Sequence, residues 1–222
     1  MTDSVTGRLI LKDWQLNSPQ IVLSLLCGGI SLAIIQVGGQ TPVLLGTAWF
    51  FIALIIFGSL LPVTNIVSER KKQTLAFVMS LPVSPTQYTA AKLGSTVGMF
   101  LGPWAMLVIS ALFLIYRRGI FPRSVVPLTL ILATTVLLGF CLIACAATAG
   151  EGWSIALTVL CNSSYWLVWY GLMQVKAVTD GLKSPVAVWN STVLTILGGE
   201  LGFIVLVLGL TFFLQSLKRD FI

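Results

Sequence analysis

Glu200 is the one acidic residue that falls inside a long apolar run, just after Gly198 and Gly199. A charge at that depth in lipid costs about 2.5–3.5 kcal/mol or more unless it is paired or faces a wet cavity. Two readings stay open: a cavity or outer-gate residue, or a hydrogen-bonded structural carboxyl. Asn162, Ser163 and Ser164 lie within another apolar run, followed by Tyr165, Trp166 and Trp169. Polar side chains there must face other helices or a cavity. Asn162, Ser163 and Trp166 therefore join Glu200 as candidate cavity or gate residues, although aromatics also suit the membrane boundary. Cys141 and Cys145 are one helical turn apart and could pair on a metal. All four cysteines, however, sit in apolar stretches, where a thiol usually just packs, and no metal site is expected.

Catalysis has little to build on. Histidine is absent, which removes the commonest general base and the commonest metal ligand. Of seven acidic residues, all but Glu200 fall in loops or termini. An intramembrane enzyme needs convergent nucleophiles, carboxylates or metal ligands.

The elements that must carry these residues are membrane helices. Of 222 residues, 57% are hydrophobic and only 9% charged, far below the quarter or so of charged residues in soluble domains. Six apolar runs fall near 20–38, 43–66, 91–115, 126–148, 153–173 and 192–214. They do not alternate apolar and polar residues, so they are helices rather than barrel strands. The reading is an all-α integral membrane fold, a single transmembrane domain over 1–222. Residues 1–18 do not form a cleavable signal peptide. Val5/Leu9 and Ile10/Trp14, each four apart, predict a short N-terminal helix lying in the interface. With the N-terminus inside, eight basic residues fall on the cytoplasmic side and five (Arg117, Arg118, Arg123, Lys176, Lys183) outside, a modest positive-inside bias. Loops facing an anionic membrane explain the net charge of +6 better than nucleic acid does. Gly94, Gly98 and Gly102 in the third run, with Pro103 after them, predict a helix-packing surface or a moving contact. Gly139, Ala144, Cys145, Ala147 and Ala149 do the same for the fourth.

The connection between the second and third runs carries the most information. Glu69, Arg70, Lys71 and Lys72 make a charged first turn; Gln73 and Thr74 follow; Leu75, Val78 and Met79 then recur at i, i+3, i+4 spacing. This predicts a short amphipathic helix over 69–81, stopped by Pro82. Ser84, Pro85 and Gln87 make a capping box opening the third span. The run Glu69-Arg70 … Thr74-Leu75 … Leu81-Pro82-Val83-Ser84 … Lys92 resembles the cytoplasmic loop of ABC-2 type permeases, the membrane subunits of type V exporters. It departs at Gln73, where that family usually has glycine.

The resemblance implies that 69–81 is a coupling helix docking on a separate ATP-binding subunit. The chain has no G-x-x-x-x-G-K-[ST] phosphate loop, so ATP and its Mg would be held by the partner, with no cofactor on this chain. It also implies a dimer, of two copies or of this chain with a homologous permease, in the inner or plasma membrane with both termini cytoplasmic. A secondary transporter is the alternative. It would usually carry several intramembrane charges and internal repeats, against one glutamate and no clear repeat here.

Overall fold

A backbone surrounded by lipid has to satisfy its own N–H and C=O groups, which favours long uninterrupted helices. The computed structural model, which describes residues 2–68 and 85–217, is built of such helices. They are α1 (Thr2–Gln36), α2 (Gln40–Pro62) continued by a π-helical turn (Val63–Val67), α3 (Pro85–Arg118), α4 (Val125–Ala149), α5 (Glu151–Gln174), a short α6 (Lys176–Leu182) and α7 (Ser191–Leu217). Six are long and apolar enough to cross a membrane: Leu11–Gln36, Gln40–Val67, Ala90–Arg117, Val125–Ala149, Glu151–Gln174 and Ser191–Leu214. The protein is a multi-pass membrane protein. The expected spans are all present, each somewhat longer than its apolar run.

The beginning of the chain differs from the expectation. No separate interfacial helix exists among the described residues, because α1 runs unbroken from Thr2 into the first span. Pro19 lies inside it and cannot donate to the carbonyl of Gln15. The Ser18 hydroxyl donates to that carbonyl instead, at 2.9 Å, which offsets the lost bond. The expected helix over 69–81 lies outside the described residues.

Successive spans run antiparallel. Gly38 and Gly39 turn the chain between α1 and α2 at φ 78° and 84°, and Gly119 ends α3 at φ 64°, a left-handed conformation that favours glycine.

The core forms around α4. Two thirds of its membrane-crossing window is buried (67%), against 11% for α5 and for α7. It carries no charged residue, as a helix enclosed by others requires. A stack of three rings ties α2, α3 and α4 together. Phe100 lies 5.6 Å from Phe57 and 4.1 Å from Phe140, with interplanar angles of 24° and 12°. Leu54, Leu61, Leu93 and Met99 pack into the same core, all essentially inaccessible. Lipid is as apolar as these side chains, so close packing and buried polar bonds must hold the helices together.

Glycines set the closest approaches. A Cβ built on Gly28 would stand 2.6 Å from Leu107, and one on Gly46 2.6 Å from Ile35 and 2.9 Å from the Ser31 carbonyl. Gly139 lies against the Tyr165 ring in the same way. The expected packing stripe on the third span is different. Gly94 and Gly102 are exposed, and a Cβ on Gly94, Gly98 or Gly102 meets nothing within 4 Å. Within this chain that face is not a packing surface among the described residues. Its fourfold spacing marks one helix face but does not specify a neighbour.

Candidate functional site

The densest set of buried polar groups lies where α1, α2 and α3 meet at one end of the bundle. Asp13 is third in the first span, Lys92 third in the third span, and Asn65 third from the end of the second. Antiparallel packing brings these ends to one level. Lys92 Nζ donates to both carboxylate oxygens of Asp13 at 2.9 Å. The Ser95 hydroxyl donates to Asp13 Oδ2 at 2.9 Å. Asn17 Nδ2 donates to the Asp13 carbonyl at 2.9 Å and reaches Asn65 Oδ1 at 3.4 Å. Asn65 Nδ2 donates to Thr96 Oγ1 at 2.6 Å, and that hydroxyl donates to the Lys92 carbonyl at 2.7 Å. Asp13, Asn17, Asn65, Lys92, Ser95 and Thr96 are all buried, none more than 7% exposed.

Local structure explains how the residues meet. Ser95 and Thr96 lie three and four residues after Lys92, one turn along α3. Asn17 follows Asp13 by one turn of α1. Asn65 sits in the π-helical turn after Pro62. Such a turn widens the helix locally and is often found at functional sites. Thr64, beside it, donates to Gln20 Oε1 at 3.1 Å and adds a second bond from α2 to α1.

A buried ion pair contributes little net stability, because desolvation offsets most of the attraction, yet breaking it leaves a bare charge. Its effect here is geometric: three helix ends are held in one register. Those ends include Ser68 and Pro85, between which the 69–84 connection runs.

A second polar cluster lies deeper, on one turn of α4. The carboxylate of Glu200 on α7 accepts hydrogen bonds from the hydroxyls of Thr134 and Thr135, the latter at 2.6 Å. Trp104 on α3 donates to the Ala133 carbonyl at 3.0 Å, and Tyr165 on α5 to that of Val136 at 3.4 Å. Three surrounding helices thus bond to α4 within four residues.

The other candidates disperse. Asn162 is half-buried and accepts from the Ser59 hydroxyl of α2 at 3.1 Å. Ser163 is exposed, and Trp166 is 76% exposed on the outer face of α5. Neither therefore shares a cavity with Glu200. Cys141 and Cys161 are buried, Cys27 and Cys145 half-buried, and all four are free thiols. Among the described residues no group of three His, Cys, Asp or Glu side chains is placed to hold a metal. Glu69, Arg70, Lys71, Lys72, Gln73, Thr74, Leu75, Val78 and Met79 lie outside the described residues.

Sequence reasoning missed the Asp13–Lys92 network. Asp13 and Lys92 read as terminal and topological charges. The sequence offered only half a signal: Lys92 stands in the first turn of the 91–115 run, whereas Asp13 lies ahead of the 20–38 run and joins the first span because α1 continues unbroken through Pro19. Comparison of the chain with family models, with curated proteins and with solved structures finds no match.

Proposed function

We propose that the chain is the membrane subunit of an ATP-driven exporter of the ABC-2 type, paired with a second permease chain and driven by a separate ATP-binding subunit. It sits in the inner or plasma membrane with both termini in the cytoplasm. The observation that carries the reading is the connection between the second and third spans. It combines the charged turn Glu69-Arg70-Lys71-Lys72 with the apolar stripe Leu75, Val78, Met79 and the Leu81-Pro82-Val83-Ser84 stop. The buried network supports it mechanically. A docking loop transmits force only if its roots are fixed, and both roots emerge from helix ends tied by Asp13, Lys92, Asn65 and Thr96.

Glu200, with its two threonine donors, acts in this reading as a structural clamp between α7 and α4. The cargo path is expected between the two paired chains.

The test is co-purification of the tagged chain with any Walker A protein whose reading frame adjoins its own, followed by ATP hydrolysis measurements in nanodiscs. Retained ATPase with hydrolysis that depends on the permease supports the reading. Reversing Glu69 and Arg70 should weaken assembly, and Leu75→Asp should leave hydrolysis uncoupled from export. A chain that retains no ATPase, or variants that assemble and export at the wild-type rate, would refute it.

A further inference from the structure

The Glu200 carboxyl lies deep in the membrane and has few hydrogens around it. It is tenth in the 24-residue span Ser191–Leu214, roughly 14 Å from the start of that helix. A hydrocarbon core about 30 Å thick places it near the middle. The residue is half-buried, and Gly198, Gly199, Leu201 and Gly202 beside it are exposed.

Two hydroxyls meet the carboxyl. Thr135 Oγ1 stands 2.6 Å from Oε1, and Thr134 Oγ1 touches Oε2. Each hydroxyl also stands 2.9 Å from a carbonyl of its own helix, Thr134 from those of Leu130 and Ile131, Thr135 from that of Ile131. A hydroxyl carries one hydrogen. With Glu200 ionised, two hydrogens serve four contacts, one carboxylate and one carbonyl contact for each threonine. A proton on Oε2 supplies a third hydrogen. Oε2 then donates to Thr134, Thr134 donates to its helix carbonyl, and Thr135 donates to Oε1.

Among the described residues no counter-charge stands at this depth. α7 packs on α4, α3 and α6. α4 carries no charged residue, and its titratable groups, Cys141 and Cys145, lie roughly 9 and 15 Å along the helix from Thr135. α3 meets this level of α4 through Trp104, which donates to the Ala133 carbonyl. The ionisable residues of α3 (Tyr88, Lys92, Tyr116, Arg117 and Arg118) all stand about 18 Å or more from Trp104 along the axis. Lys176, Asp180 and Lys183 belong to the end of the bundle where Asn190 bonds the Ala177 carbonyl, roughly 15 Å from Glu200. α7 holds no second ionisable side chain. An isolated carboxylate in apolar surroundings is costly, and the group becomes neutral instead.

We propose that Glu200, Thr134 and Thr135 form a proton-binding site in the middle of the membrane, occupied at neutral pH. Glu200 is there a carboxylic acid that donates to Thr134 and accepts from Thr135. The two bonds run in opposite directions between α7 and α4, so the proton is part of the contact between these helices. Oxygens in direct contact leave no room between them for a metal ion. The assignment belongs to the membrane fold and does not rest on the ATP-driven reading.

Infrared spectroscopy of the full chain in dodecyl maltoside at neutral pH tests it. Wild type should show the C=O stretch of a protonated carboxyl, and Glu200→Gln should lose that band. Thr135→Val removes the hydroxyl that donates to Oε1 and should move the band to higher frequency without abolishing it. Dicyclohexylcarbodiimide gives a second readout on the wild type, since the exposed glycines leave the carboxyl open to a lipid-soluble reagent. The acid proton passes to a carbodiimide nitrogen and the carboxyl oxygen bonds the central carbon. Migration of the acyl group to nitrogen then leaves an N-acylurea with every atom retained. Mass spectrometry should find that adduct on Glu200, and sodium chloride should not protect against it. The proposal is overturned by a wild type without the band, a band that survives Glu200→Gln or is unmoved in Thr135→Val, an adduct absent from Glu200, or protection by sodium.

Discussion

At the scale of single residues, the ion pair between Asp13 and Lys92 is the most sensitive contact. Lys92→Ala leaves the Asp13 carboxylate buried with the Ser95 hydroxyl alone in place of its counter-charge and should cost about 3–5 kcal/mol, measured by denaturant or thermal unfolding in detergent. Asp13→Leu combined with Lys92→Met should recover most of that loss, since an apolar pair needs no desolvation. If the double variant is no better than Lys92→Ala alone, the pair is more than a geometric tie. At Glu200, removing both donors with Thr134→Val and Thr135→Val should destabilise by about 1–3 kcal/mol per lost bond. Glu200→Gln should cost less, because an amide can still bond to both hydroxyls. Glu200 was legible in the sequence because a lone acid in an apolar run demands an explanation. Its partners were not, since threonines pass unnoticed in membrane helices and ordinarily bond their own backbone; the Leu130 and Ile131 carbonyls stand within reach of these same two hydroxyls as the alternative acceptors. Asn17 and Asn65 were invisible for a related reason: a single amide carries no spacing that points to another 48 residues away.

At the scale of the elements, glycines separate contacts that matter from those that only look periodic. Gly46→Ala would press a methyl into Ile35 and the Ser31 backbone, moving α2 off α1 at a cost of about 1–3 kcal/mol. Gly98→Ala meets open space within the chain and should be neutral or stabilising by about 0.5–1 kcal/mol, because alanine favours helix. Parallel thermal melts of the two variants check both. The spans were readable because twenty apolar residues in lipid have one stable conformation. The continuity of α1 was not, since Pro19 reads as a stop and only the Ser18 hydroxyl shows how the helix passes it. Periodicity gives the face of a helix; the neighbour depends on the fold of the rest of the chain. Within this chain the close approaches are made at Gly28, Gly46 and Gly139, while the stripe on α3 meets no neighbour.

At the scale of the whole molecule, α2, α3, α5 and α7 pack on α4, whereas α1 packs on α2 and α3, and α5 and α7 turn most of their surface outward. The alternation of six spans leaves positions 38, 119 and 184 on one side and positions 72 and 150 on the other. In a chain cleared of its four native cysteines, single cysteines at these positions should label from opposite faces of sealed vesicles. Under the proposed orientation, Lys72→Cys reacts only from the cytoplasmic face; labelling from outside would invert the topology. Composition made the class of the molecule plain, whereas the network joining the loop's two roots emerges only when the first, second and third spans are folded together.

That network also affects how the chain is made. Asp13 enters the membrane at the start of the first span, but its partner lies 79 residues further along the chain. At about 5–20 residues per second, the ribosome takes roughly 4–16 seconds to deliver Lys92. During that interval the first helix carries a carboxylate for which lipid offers no partner. The nascent first span should therefore stay beside the insertion machinery, or at the bilayer surface, until the third arrives. Ribosome-stalled chains too short for Lys92 to have left the ribosome should crosslink to the translocon, and those long enough to expose the third span should be released.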